Sequence, residues 1–99
     1  MDRYTLRTNV TPSRRRWLLA LAEGPKRRSE ERSRAVHDCE RLGWTRALYE
    51  RGLQTRDLPS LEFEYGGFSA LYADGWRHFG LYELTADGCS ALTQPPTEA

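Results

Sequence analysis

The sequence predicts an α+β fold in a single domain, and three observations predict it. Two N-terminal stretches combine helix punctuation with apolar residues at helical spacing, and the middle of the chain changes to alternating apolar and polar positions. The chain then closes with Tyr82-Glu83-Leu84-Thr85-Ala86-Asp87-Gly88 running into Cys89-Ser90-Ala91-Leu92, an apolar strand followed by a cap and a short helix. With 99 residues, 38% of them hydrophobic and 29% charged, the chain suits one globular domain with a modest core rather than a large catalytic architecture. Residues 1–93 are assigned to that domain and 94–99, rich in Pro, to a flexible tail.

Tyr4-Thr5-Leu6-Arg7-Thr8 alternates weakly and reads as a short strand or an ordered arm. Thr11 then sits as a helix N-cap with Pro12 at the first helical position, and Gly24-Pro25 ends the run. In that helix Leu18, Leu21 and Ala22 share a face with Trp17 beside them, while Arg14, Arg15 and Arg16 crowd the first turn. Cations there oppose the helix dipole, so the turn is either a solvated basic surface or a place where an anion such as phosphate is welcome.

Ser29 caps a second helix, with Glu30 and Glu31 in its first turn, and Ala35, Val36, Cys39 and Leu42 form its apolar face before Gly43 stops it. Its outer face carries Arg34, His37, Asp38 and Arg41. Trp44 to Tyr49 reads as a strand, followed by a polar stretch from Glu50 to Ser60. Leu61-Glu62-Phe63-Glu64-Tyr65 alternates with period two and reads as a half-buried strand. Between the turn signals Gly66-Gly67 and Asp74-Gly75, Phe68 to Tyr72 reads as a further strand, and His78 to Leu84 as the last.

The net charge of +1 conceals an asymmetry: residues 1–46 carry a net +6, and residues 47–99 a net −5. A polyanion surface therefore belongs to the N-terminal half. Cys39 and Cys89 are read as reduced thiols. His37, Cys39, His78 and Cys89 match no familiar zinc spacing, so no metal and no cofactor is expected. No apolar run reaches the roughly 20 residues of a membrane span, and the N-terminus lacks the apolar core of a secretion signal, so a cytoplasmic protein without a membrane partner is expected. His37, Asp38 and Cys39 are adjacent on a helix and point in different directions, which excludes a triad; no enzyme activity is predicted. Base stacking on the aromatic residues of the second half needs cations beside them, and Glu62 and Glu64 speak against it.

Three segments carry a resemblance: Thr11 through Pro25, Glu40-Arg41-Leu42-Gly43-Trp44, and Tyr82 through Gly88. In order and spacing they resemble the first helix, the end of the recognition helix and the return strand of MarR-like and PadR-like winged-helix proteins, including small versions common in phages and prophages. The resemblance implies a winged helix in which the second helix is shortened to a single turn and the β-wing is enlarged. It also implies a DNA-binding transcriptional regulator of phage or mobile-element origin, with the helix ending at Leu42 in a major groove. On that reading Arg14, Arg15, Arg16, Arg27, Arg28, Arg32, Arg34, His37 and Arg41 contact double-stranded DNA.

The acidic, aromatic second half points to a different working surface, in which Glu62, Phe63, Glu64, Tyr65 and Trp76 form a protein interface. The alternative is thus a phage-encoded interaction module, an inhibitor or adaptor of a host nucleoprotein complex of the anti-defence or anti-CRISPR kind. A homodimer is compatible with both.

Overall fold

The computed structural model describes residues 8–28 and 34–94. Within them the chain runs α1 (Pro12–Ala22), β1 (Lys26–Arg27), α2 (Arg34–Arg41), β2 (Thr45–Arg51), β3 (Gln54–Asp57), α3 (Leu58–Tyr65), α4 (Phe68–Ala73), β4 (Arg77–Leu84) and α5 (Ala86–Leu92). The fold is α+β: helices accompany one antiparallel sheet of order β1-β4-β2-β3. The expected arm at Tyr4–Thr8 falls almost wholly outside the described residues, as do the Ser29 cap with Glu30 and Glu31, the contact residue Arg32, and all of the tail beyond Gln94.

α1 begins as its sequence dictates. The Thr11 hydroxyl accepts from the Arg14 backbone N–H at 3.2 Å, and Pro12 occupies the first turn without cost. Its buried face is Arg14, Trp17, Leu18 and Leu21, whereas Ala22, expected on that face, is exposed. α2 buries Ala35, Val36, Asp38 and Cys39, so Asp38 belongs inside rather than on the outer face. The helix closes by a Schellman motif: the Trp44 N–H donates to the Cys39 carbonyl at 2.9 Å and the Gly43 N–H to Glu40 at 3.0 Å, with Gly43 at a φ of 79°.

Two strands of the sequence reading are helices. Leu61–Tyr65 lies in α3, because Asp57 caps it, accepting from the Ser60 N–H at 3.3 Å, and Pro59 sits in its first turn. Leu58, Leu61 and Tyr65 then fall on one helical face that is buried or half-buried, a spacing that competes with the period-two alternation and wins. Phe68–Tyr72 lies in α4, which buries Leu71 and ends in a second Schellman motif at Gly75, with the Trp76 N–H donating to Leu71 at 3.1 Å. Where an enlarged β-wing was expected, the chain forms a short β2–β3 hairpin followed by two helices. β1 and β3 come from segments with no apolar alternation, which the sequence reading passed over.

The core is divided. One cluster gathers Val10, Trp17, Leu18, Leu21, Val36, Cys39, Trp44, Tyr82 and Ala91; the other holds Tyr49, Leu61, Leu71 and Trp76. The closing segment locks onto the first. Thr85 caps α5, accepting from the Gly88 N–H at 3.1 Å, and its hydroxyl donates to the Gly43 carbonyl at 2.6 Å. Gly88 is buried, and a Cβ there would collide with the Trp44 carbonyl oxygen, so only glycine lets α5 approach this closely.

Candidate functional site

The two arginines and the histidine of α2 form one face. Arg34, His37 and Arg41 stand at spacings of three and four residues and are all exposed, opposite the buried Ala35, Val36, Asp38 and Cys39. His37 and Arg41 have no hydrogen-bond or ion-pair partner among the described residues. Arg28 follows β1 and is exposed, with its aliphatic stem lying over Gly80 of β4.

Of the other arginines predicted as DNA contacts, Arg14, Arg15 and Arg27 are committed elsewhere. Arg14 is only 6% exposed and donates to Asp38, itself 4% exposed, at 3.2 Å, and to the Asn9 carbonyl at 2.8 Å. A buried guanidinium cannot reach a phosphate, so Arg14 is a structural residue and not a DNA contact. Arg15 donates to the Leu92 carbonyl at 3.1 Å and so satisfies the C-terminal end of α5. Arg27 makes a two-pronged pair with Glu50, at 2.7 and 2.9 Å, and this pair holds the Glu50 carboxyl below the ordinary carboxylate range against the opposing effect of burial. Arg16 remains exposed on α1.

The predicted protein interface separates in the same way. Trp76 is 1% exposed and forms the centre of the smaller core, which removes it from any surface. The Arg51 guanidinium stacks 4.8 Å from its ring centroid, and its indole N–H donates to the Tyr65 hydroxyl at 3.2 Å. Tyr65 in turn donates to Asp74 and is half-buried. Glu64 accepts from Arg56 at 2.6 Å, leaving Glu62 and Phe63 as the outward part of α3; Phe63 is 94% exposed.

A further group of side chains was not singled out from sequence. Tyr49, Tyr72, Arg77 and His78 line an open cleft of about 420 Å³. Tyr49 stacks on His78 with centroids 5.4 Å apart and on Tyr72 at 6.4 Å, and His78 meets Tyr82 edge-on at 5.6 Å. Burial, followed by the hydrogen bond to Tyr72, pushes the Tyr49 phenol up to about 12. Arg77 lies 5.3 Å from the Tyr72 ring. The available signal was the Arg77-His78 pair opening a strand opposite an aromatic one, a pattern recognisable only once the β2–β4 register is known.

Among the described residues there is no group of His, Cys, Asp or Glu able to hold a metal ion, and no helix is long and apolar enough to cross a membrane. Burial pushes the Cys39 thiol up to about 12, which makes it a packing residue rather than a nucleophile. No protein-family model, curated protein or solved structure matches the chain.

Proposed function

We propose that the protein is a small winged-helix DNA-binding protein that inserts α2 into a major groove. The observation that carries this reading is the exposed Arg34, His37 and Arg41 face of α2, set against a buried face that fixes the helix on the core. The element order supports it: β1 lies between α1 and α2, and β1 pairs with β4, which pairs with β2, the arrangement of a helical unit closed by a wing. Arg28, exposed beside β4, supplies a phosphate contact, and Arg34 and Arg41 supply base or phosphate contacts. A role in transcriptional regulation follows from the same reading.

Fluorescence anisotropy of a labelled duplex tests it. Affinity falls linearly on a logarithmic salt scale, with a slope of roughly −3 if three or so phosphates are neutralised. Arg41→Gln weakens binding, and Phe63→Ala leaves it unchanged. Absence of duplex binding, or binding indifferent to salt, overturns the proposal. The second reading, a protein-interaction module, is favoured by the exposure of Phe63 beside Glu62 on α3. It prevails if duplex binding is absent and capture of a basic nucleoprotein partner is lost in Phe63→Ala.

A further inference from the structure

The cleft of Tyr49, Tyr72, Arg77 and His78 lies where the two cores meet. Tyr82 belongs to the larger core and Tyr49 to the smaller, and His78 touches both rings between them. The Tyr82 hydroxyl donates to Glu40 at 3.2 Å, so the cleft begins at the edge of α2, one turn beyond His37. On its far side stands α4, which contributes Tyr72.

We propose that this cleft seats one phosphodiester of a nucleic-acid backbone, the strand flanking the groove that α2 enters. The proposal rests on the DNA-binding reading and adds a second contact region to it. Arg77 is fixed by one nitrogen, Nη1, which donates to the Tyr72 and Trp76 carbonyls at 2.8 Å each. Its Nε and Nη2 have no partner among the described residues and remain available as a fork for an oxyanion. Tyr72 lines the cleft and is 40% exposed, so its hydroxyl is open to solvent and able to donate to an oxyanion. Tyrosine hydroxyls and arginine are ordinary phosphate donors.

The carboxylates around the cleft restrict the charge it accepts. Glu40 bonds Tyr82, Glu62 acts on Tyr49 from α3, and Glu50 lies near His78 but is paired with Arg27. One negative charge against Arg77 is tolerated, whereas several meet repulsion. A diester carries one charge, unlike a phosphate monoester or a nucleoside triphosphate. Glu64 is paired with Arg56, so of the two α3 glutamates Glu62 is the one that bears on the cleft.

The test compares the parent protein with Arg77→Gln and Tyr72→Phe in duplex anisotropy across a salt series, with folding checked by circular dichroism. Arg77→Gln reduces the magnitude of the salt slope by about one and weakens binding alike for different sequences. Tyr72→Phe keeps the ring and lowers affinity about tenfold through the lost hydrogen bond to a charged oxygen. If both bind as the parent does with an unchanged slope while Arg41→Gln is weakened, the cleft proposal falls and the DNA-binding reading stands. If the parent binds no duplex, that reading falls, and the cleft is tested by NMR titration with a dinucleotide and with inorganic phosphate. Saturable shifts at His78 and Tyr72 with the dinucleotide sustain the cleft; silence, or a response to inorganic phosphate alone, overturns it.

Discussion

α2 and α4 end in the same way and lead to different interiors. Each closes with a left-handed glycine, Gly43 or Gly75, followed by a tryptophan whose N–H reaches back to the last turn. Trp44 enters a cluster drawn from the whole described chain, from Val10 to Ala91, whereas Trp76 enters one drawn from Tyr49 to Trp76 alone. The first region is held by apolar packing and one buried ion pair. The second is small and surrounded by partly exposed polar contacts: Arg51 and Arg56 over the indole, Tyr65 on its N–H, and Asp74 joining Tyr65 to Arg51. A shared local device therefore delivers an aromatic anchor, and the reach of its neighbours decides how firmly that anchor is held. The α3–α4 unit is expected to open at lower free energy than the region around α1, α2 and α5.

The largest contrast comes from the carboxylates. Asp38→Ala strands the buried Arg14 and should cost about 3–5 kcal/mol in chemical denaturation, with Arg14→Met plus Asp38→Leu recovering most of the loss. Asp74→Ala, which breaks the exposed pair with Arg51, should cost about 0–1 kcal/mol. Equal costs would show that the two regions are supported alike.

Substituting the two glycines is the intermediate case. A Cβ at Gly43 meets nothing within 4 Å, and at Gly75 only the Arg51 stem at 3.6 Å, so the penalty is that of the left-handed backbone. Gly43→Ala and Gly75→Ala should each cost about 1–2 kcal/mol. Hydrogen exchange should register the second mainly within α3 and α4, and the first throughout the protein.

The smallest effect is a pH dependence. Glu50 is lowered by Arg27 in the folded state, so its stabilisation is present above the unfolded carboxylate range and disappears as pH falls through the folded value. Glu50→Gln should abolish that component, about 1 kcal/mol or less for a pair of which Arg27 is 42% exposed, and flatten the acid limb of the stability curve.

Much of the first region was legible in sequence because its signals are local and agree with one another. Thr11-Pro12, Gly43 and the Leu84-Thr85 junction each name a boundary, and each lies at or next to one. The second region was misread because Leu61-Glu62-Phe63-Glu64-Tyr65 satisfies a strand period while Leu58, Leu61 and Tyr65 satisfy a helical one. The deciding mark was Asp57 before Leu58-Pro59, a cap and first-turn proline hidden in a polar stretch. Arg14 and Asp38 were assigned outward because they are charged. Their spacing already placed them inside, Arg14 in register with Trp17, Leu18 and Leu21, and Asp38 three residues after Ala35 and four before Leu42. Complementary charges on two apolar faces are the legible sign of a buried pair. The cleft was not legible, since it depends on strand register and on the helical packing of α4.

The hydroxyl of Thr85 bonds the carbonyl of Gly43 across a sequence separation of 42 residues, while its own helix presses Gly88 against Trp44. On the ribosome, the end of α2 thus waits for a clasp that is synthesised seconds later, at the common pace of roughly 5–20 residues per second. Until α5 emerges, the helix proposed to read DNA has neither its terminal brace nor the Arg15–Leu92 contact behind it. By this wiring, readiness of that helix waits on the synthesis of α5.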